Sequence, residues 1–211
     1  MSEPLTDKKM AEITSITISH YDDNAWSFWE GTKDHDVSQN YDHFLAQFPA
    51  TQKLDILDFG CGPGRDLAYF KGLGHRAVGL DGSFAFCAMA QENTGCPVLH
   101  QSFLNLELQE ETFDGIFANA SLFHIPKQEF PRILLQLRRT LRPGGILFSS
   151  NPRGSSEEFS GERYGHFMEL EASRAYLEAA GFRVIEHYYR PAGLPHTAQP
   201  WLAILSQKVS L

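Results

Sequence analysis

The chain has 211 residues, 42% of them hydrophobic, and a formal net charge of −8. That length fills one good core, and no run of about 18 apolar residues is present to cross a membrane. Lys and Arg are scattered rather than clustered, which argues against a nucleic-acid backbone as partner because such proteins carry a basic face.

The first dozen residues are polar and are expected to be irregular. Residues 21–31 (YDDNAWSFWEG) read as a short aromatic helix or turn. Residues 38–48 read as a helix that Ser38 can cap, with Tyr41, Phe44, Leu45 and Phe48 at helical spacing. From residue 54 strands and helices alternate. LDILDF is a strand, Arg65 to Leu73 a helix and RAVGLD a second strand. Ser83 caps a helix that runs to about Asn93 and ends at Gly95. CPVLH and FDGIFAN are the third and fourth strands. Phe130, Ile133, Leu134, Leu137 and Leu141 mark an amphipathic helix, which Pro143-Gly144-Gly145 breaks before a fifth strand, ILFSSN. A loop over 152–168 and a helix over about 170–180 follow. FRVIEHYYR and WLAILSQK then form two strands with no helix between them. Alternating strands and helices predict a parallel sheet covered on both faces. The whole predicts an α/β fold: a doubly wound, mostly parallel seven-stranded sheet with an antiparallel C-terminal hairpin.

The strongest motif is ILDFGCGPGRDL, with Gly60, Gly62 and Gly64 between a strand and a helix. Lacking Cβ, such glycines let the chain turn tightly and a ligand press on the backbone, and ligands of open α/β sheets bind at this end of the strands. GxG alone does not separate cofactors. Asp58, two residues before Gly60, suits the ammonium of a methionine better than a phosphate. Arg65 stands where a dinucleotide fingerprint wants Gly or Ala, and the C-terminal hairpin is foreign to plain dinucleotide-binding domains. Asp81 ends the second strand, 21 residues after Gly60, where a carboxylate can accept both ribose hydroxyls; its plain alternative is a helix cap.

DFGCGPGRDL, VGLDGS, FDGIFANASLFHIP and LRPGGILFSSNP resemble the successive motifs of class I S-adenosylmethionine (SAM)-dependent methyltransferases. The resemblance implies that SAM is the cofactor and S-adenosylhomocysteine its product. It implies that the glycine loop cradles the methionine part, that Asp81 binds ribose, and that Ser102 and Phe103 flank adenine. Many relatives have Asp where this chain has Ser102. The candidate cofactor contacts are Asp58, Gly60, Cys61, Gly62, Asp81, Gly82, Ser83, Ser102, Phe103, Asn119 and Trp29. A narrower resemblance covers Tyr21 to Ala203. YDDNAWSFWEGTKDHDVSQN, FANASLFHIP, SSNPRG, HYYRPAGLP and QPWLA are similar to the methyltransferase domain of the ovothiol pathway, which N-methylates the imidazole of 5-thiohistidine. That domain is often fused behind a sulfoxide synthase, for which this chain is too short, so a free-standing version is expected.

A neutral imidazole attacks a methyl group without a strong base, so placement is the main catalytic tool. His124, just past the fourth strand, is a base candidate and equally a structural histidine. Asn119 could hold the cofactor's amino group or the ring, or serve as a turn residue. Arg153, Arg163 and Arg190 are candidates for the acceptor's carboxylate, since a guanidinium forms paired hydrogen bonds with it. Tyr21, Phe123, Tyr164 and Tyr189 are candidate pocket walls; Tyr188 and Tyr189 cannot both face the site because neighbours in a strand point to opposite sides.

The nine His residues lack HxH or HxxxH spacing, and His35 between Asp34 and Asp36 suits a solvated loop, so no metal is expected. Cys61, Cys87 and Cys96 show no CxxC spacing, and MSEPLTDKKM lacks the apolar stretch of a signal peptide. The cytoplasm is therefore the expected compartment and a small molecule the expected partner; no oligomeric state is legible. One domain is expected, with residues 1–50 as a helical lid, 51–151 as the SAM-binding core and 152–211 as substrate loop and hairpin. Three rivals remain: a methyltransferase for another small amine, thiol or phenol, an NAD-dependent oxidoreductase, and a SAM-binding regulator without catalysis.

Overall fold

The computed structural model describes residues 5–209. A helix, α1 (Asp7–Asp23), opens the chain, capped by Thr6, whose hydroxyl accepts from the Lys9 amide. The expected irregular start is thus corrected; the first four residues lie outside the described range. Met10, Ile13 and Thr17 form one buried stripe at helical spacing, short of apolar residues but enough to dock the helix. α2 (Ala25–Thr32) and α3 (Ser38–Leu45) follow. Ser38 is not the cap of α3: Val37 occupies that position, and the Asp36 carboxylate accepts from the Ser38 amide instead.

The alternating segment matches its prediction closely. It runs β1 (Asp55–Phe59), α4 (Arg65–Gly72), β2 (Arg76–Asp81), α5 (Phe84–Thr94), β3 (Val98–His100), β4 (Phe113–Asn119), α6 (Phe130–Thr140) and β5 (Leu141–Pro152). Ser83 caps α5, accepting from the Phe86 amide, and Gly95 ends it at φ +63°. β5 begins before the Pro-Gly-Gly turn rather than after it, because Leu141 already pairs with Phe113. The expected loop over 152–168 contains a hairpin, β6 (Glu157–Ser160) and β7 (Arg163–His166), in a separate two-stranded sheet. α7 (Leu170–Ala179), β8 (Phe182–Arg190) and β9 (Trp201–Lys208) complete the chain.

The seven-stranded sheet has the order β3-β2-β1-β4-β5-β9-β8. The first five strands are parallel and β9 runs antiparallel between β5 and β8, as the absence of a crossover helix foretold. Both faces are buried, so consecutive strand residues feed opposite cores. Leu57, Ile116 and Leu147 pack on one side with Ile133, Leu134 and Leu137 of α6. Ile56, Phe117 and Phe148 pack on the other with Phe44 of α3 and Phe70 of α4. Phe117 and Phe148 stack at 4.6 Å. Gly115 is required here because a Cβ would stand 2.5 Å from the Phe44 ring. This rigid sheet presents the turns after β1, β2 and β4 at one edge.

Candidate active site

A cavity of about 860 Å³ opens above those turns, within the range of ordinary small-molecule sites. Its floor is the loop after β1. Gly60, Gly62 and Gly64 have φ of +78°, +51° and +97°, which side-chain-bearing residues rarely adopt. The amides of Gly60 and Cys61 turn back to the Leu80 carbonyl at 2.7 and 3.1 Å. A Cβ on Gly60 would sit 2.3 Å from that of Ser121, so this glycine lets the turns after β1 and β4 touch. A Cβ on Gly62 would meet only the Phe28 ring, at 3.9 Å, so that position fronts open space.

Asp81 accepts from the Gly62 amide at 3.0 Å and from the Ser83 amide at 2.9 Å. Burial still pushes its carboxyl up to about 6, and the backbone donors only partly oppose this. Asp58 lies beneath the floor rather than on the cavity wall, its Oδ2 buried without a partner. Burial and the neighbouring Asp66 raise its carboxyl well above the carboxylate range. Beside Asp81, Gly82 abuts Ile18 of α1, and the Ser83 hydroxyl donates to Asp22 at 2.6 Å. Phe103 lines the cavity, stacked on Phe59 at 4.3 Å. Ser102 stands off the wall, its hydroxyl accepting from the Leu104 amide. These features fit SAM: glycine turns open to close backbone approach, the half-buried Asp81 carboxyl beside them, a flat aromatic shelf, and a buried Asp58 oxygen without a partner beneath the loop.

At the other end of the floor, Asn119 reaches the wall with its amide committed. It donates to Asp66 at 3.0 Å and accepts from Asn40 at 3.1 Å. Tyr188 donates in turn to Asn40, and Tyr41 and Arg65 both donate to Asp66. Sequence reasoning missed Asp66, Asn40 and Tyr41, because only the fold brings α3 and α4 against β4. Arg65, taken only as a departure from the dinucleotide fingerprint, lines the cavity with Asp66 as its counter-charge.

The roof comes from distant segments. Tyr21 of α1 packs on Phe86 and Phe28, with ring centroids 5.3 and 5.5 Å apart. Its hydroxyl stands 2.9 Å from His124 Nε2, while His124 Nδ1 stands 2.6 Å from the Tyr164 carbonyl. A carbonyl can only accept, so Nδ1 carries the proton and Nε2 accepts from Tyr21. Burial pushes the His124 imidazole down to about 4, and nearby Arg163 works the same way. His124 is neutral with both nitrogens engaged. Trp29, Phe123, Arg163 and Arg190 also line the cavity.

Three candidates do not. The Arg153 guanidinium is spent on Glu169 and on the carbonyls of His196 and Gln199, and it lies over the Tyr189 ring at 4.8 Å. It staples the segment after β8 instead of facing the cavity, which corrects its expected place. Tyr189 lies under that staple, packed on His196. Tyr164 is buried behind the roof, its hydroxyl on Glu157 and near the Lys127 amide. Among the described residues, no group of three or more His, Cys, Asp or Glu is arranged to hold a metal, and no helix is long and apolar enough to cross a membrane.

Residues 57–149 match the family described as a methyltransferase domain. Malonyl-[acyl-carrier protein] O-methyltransferase of Pectobacterium atrosepticum is 32% identical over 121 residues, 56% of this chain and 47% of that one. Trans-aconitate 2-methyltransferase of Azoarcus sp. is 32% identical over 115 residues, 54% of this chain and 45% of that one. The chain thus spans about half the length of these curated relatives. Among solved structures, the 1,6-didemethyltoxoflavin-N1-methyltransferase of Burkholderia thailandensis, bound to 1,6-didemethyltoxoflavin and S-adenosylhomocysteine, superimposes with TM-score 0.80 at 21% identity. That match covers 100% of this chain and 94% of that one. Phosphoethanolamine N-methyltransferase 1 of Haemonchus contortus gives TM-score 0.79 at 18% identity, over 98% of this chain and 50% of that one. Residues 57–149 thus match a methyltransferase-domain family, the fold is the one shared by SAM-dependent methyltransferases, and the cavity fits that cofactor.

Proposed function

We propose that the protein transfers a methyl group from SAM to a small molecule, and that the acceptor atom is a ring nitrogen of 5-thiohistidine, giving ovothiol A. SAM supplies an electrophilic methyl group: the new N–CH3 bond forms as the S–CH3 bond breaks, the bonding pair stays on sulfur, and S-adenosylhomocysteine is left. Asp81 and the glycine loop hold the cofactor. Tyr21, Phe123 and His124 form the chamber for the flat acceptor, and Arg163 and Arg190 face it. The ring proton leaves to water after transfer.

The observation that carries this reading is the state of His124. A histidine held near 4, with Nε2 already accepting from Tyr21, is a poor base for a phenol. An imidazole lone pair needs orientation instead. The segments FANASLFHIP, SSNPRG and HYYRPAGLP support the narrower acceptor. Two structures that share the fold along nearly the whole chain are N-methyltransferases by name, which favours nitrogen. The test is purified protein with SAM and 5-thiohistidine, following product by mass spectrometry and ring position by NMR. A singly N-methylated product is expected. No product there, alongside turnover of an unrelated amine, thiol or phenol, overturns the acceptor and leaves the broader methyltransferase reading.

A further inference from the structure

The chain has eleven arginines, of which Arg138, Arg139 and Arg183 lie away from the cavity without an ion pair among the described residues. Arg65, Arg76, Arg132, Arg142, Arg153 and Arg174 each pair with a carboxylate. Arg163 and Arg190 form no ion pair among the described residues, although the protein carries net charge −8, and both line the cavity. Arg190, half-buried at the end of β8, has one hydrogen bond, from Nη2 to the Asp36 carbonyl at 3.1 Å. The rest of its fork makes no hydrogen bond among the described residues, although the guanidinium, after the hydrogen bonds from Ser38, also helps to hold the Asp36 carboxyl below its ordinary value. Arg163 opens β7 and stands beside Tyr21 and His124. Neither of those neighbours is anionic: His124 is neutral, and burial raises the Tyr21 hydroxyl further above its ordinary value. The nearest carboxylate in sequence, Glu162, turns outward to His20 at 3.3 Å. An unpaired cation on a cavity wall attracts an anion to that wall.

We propose that the acceptor's two anionic groups are divided between these two residues, its carboxylate on Arg190 and its ring thiolate on Arg163. This rests on the acceptor reading above. The division follows from placement. The reacting ring belongs beside Tyr21, Phe123 and His124, which puts its sulfur next to Arg163. The amino-acid tail then extends toward Pro191, Trp201 and Arg190, and a planar guanidinium fork takes a carboxylate with two parallel bonds. Holding the sulfur as thiolate also keeps electron density on the ring. Plain histidine would leave Arg163 unanswered, so Arg163 sets selectivity for the sulfur-bearing ring.

The test is calorimetry on S-adenosylhomocysteine-saturated protein with three ligands: 5-thiohistidine, its decarboxylated amine, and histidine. Against 5-thiohistidine, Arg190→Ala and Arg163→Ala are each expected to lose about tenfold to a hundredfold in affinity, the scale of a lost charged hydrogen bond. Arg190→Ala should bind the decarboxylated amine as wild type does, because the group it served is gone. Arg163→Ala should bind histidine as wild type does. Arg190→Lys and Arg163→Lys should recover part of the loss, and unchanged affinity for S-adenosylhomocysteine shows that each variant is folded. Equal losses with all three ligands, or the opposite pattern, overturn the division while leaving 5-thiohistidine as acceptor. Wild-type protein that binds neither 5-thiohistidine nor its decarboxylated amine overturns the acceptor itself, and the division with it.

Discussion

The cavity has two walls of different construction. The wall proposed for the cofactor is made of turns between consecutive elements: β1 to α4, β2 to α5, and the exit from β4. Its working groups are backbone amides, glycines and one carboxylate, all within a few residues of a strand end. The wall proposed for the acceptor is assembled from parts far apart in the chain. Tyr21 meets His124 across 103 positions, the Tyr164 amide donates to Thr17 across 147, and Arg190 reaches the Asp36 carbonyl across 154. The first wall is set by local backbone geometry, the second by the packing of α1, α2 and the β6–β7 hairpin. Change should therefore be intolerable on the first wall and graded on the second.

The sharpest break is expected at Gly60. Gly60→Val forces a branched side chain into φ +78° and 2.3 Å from Ser121. Loss of detectable SAM binding and a lowered melting temperature are expected together, measured by calorimetry and thermal unfolding. Normal binding in that variant would mean that the loop is not the cofactor cradle. Asp81→Ala comes next. It removes hydrogen bonds to a charged group, about 1.5–3 kcal/mol or tenfold to a hundredfold in SAM affinity. The same carboxylate also orders the Gly62 and Ser83 amides, so Asp81→Asn, which keeps an acceptor oxygen, should lose less. Unchanged SAM affinity in Asp81→Ala rules out the ribose role.

The two walls also differ in how much of them could be read from sequence. Glycine spacing, the Asp81 position and the alternation of strand and helix are short-range patterns, and they located the sheet and the glycine turns at its edge. The β6–β7 hairpin escaped because EEFS and RYGH carry little apolar alternation; β6 is exposed throughout. α1 escaped because its buried stripe is only Met10, Ile13 and Thr17. Arg153 and Arg190 look equivalent in sequence, both next to Pro and both near a strand end. Only the return of the segment 196–199 onto Arg153 separates them. Asp66 gave no sequence cue beyond following Arg65; its role as hub for Tyr41, Arg65 and Asn119 needs three elements in contact.

A pH series probes the cofactor wall without mutation. In the ligand-free protein Asp81 titrates near 6, whereas ribose hydroxyls donate to the ionised form. Affinity for SAM should be flat above that value and fall as pH drops through it, by about tenfold per unit for a single coupled proton. For folding the sign is opposite. A carboxyl raised above its unfolded value of about 3.9 favours the protonated native state, so this group's contribution to stability declines as pH rises from about 4 to 6 and is level beyond. SAM affinity that stays constant from pH 7.5 to 5 would contradict Asp81 as the ribose acceptor.

On the acceptor wall, Arg153→Ala should act indirectly. It releases Glu169, His196, Gln199 and the Tyr189 face together, loosening the segment that carries Pro191 and leads to Trp201. A rise in acceptor KM of about threefold to tenfold is expected, about 1 kcal/mol by the usual conversion. SAM affinity should not change, and hydrogen exchange should quicken over residues 191–200. Arg153→Lys should not rescue it, since an ammonium cannot reproduce the flat fork over Tyr189. A change confined to SAM affinity would place Arg153 with the other wall.

The smallest effect is expected at Tyr21, and it decides what the Tyr21–His124 pair is for. Tyr21→Phe keeps the ring that packs on Phe28 and Phe86 and removes only the hydroxyl that donates to His124 Nε2. His124 then has a free lone pair, but burial still holds it near 4, so it is not a stronger base at neutral pH. If the pair only orients the acceptor ring, kcat should fall by about twofold to fivefold, under 1 kcal/mol of barrier, and the pH profile between 5 and 8 should keep its shape. If His124 removes a proton during transfer, two results should appear together. Replacing the histidine should cost more than about a hundredfold, the scale of general acid–base catalysis, and the wild-type profile should show a limb governed by the histidine. His124→Asn provides the complement, since an amide at that position can still donate toward the Tyr164 carbonyl. A modest loss in both variants would establish orientation as the work of this wall. A large loss in His124→Asn, with an acid limb in the wild-type profile, would give it a chemical step that its neutral, fully bonded histidine does not suggest.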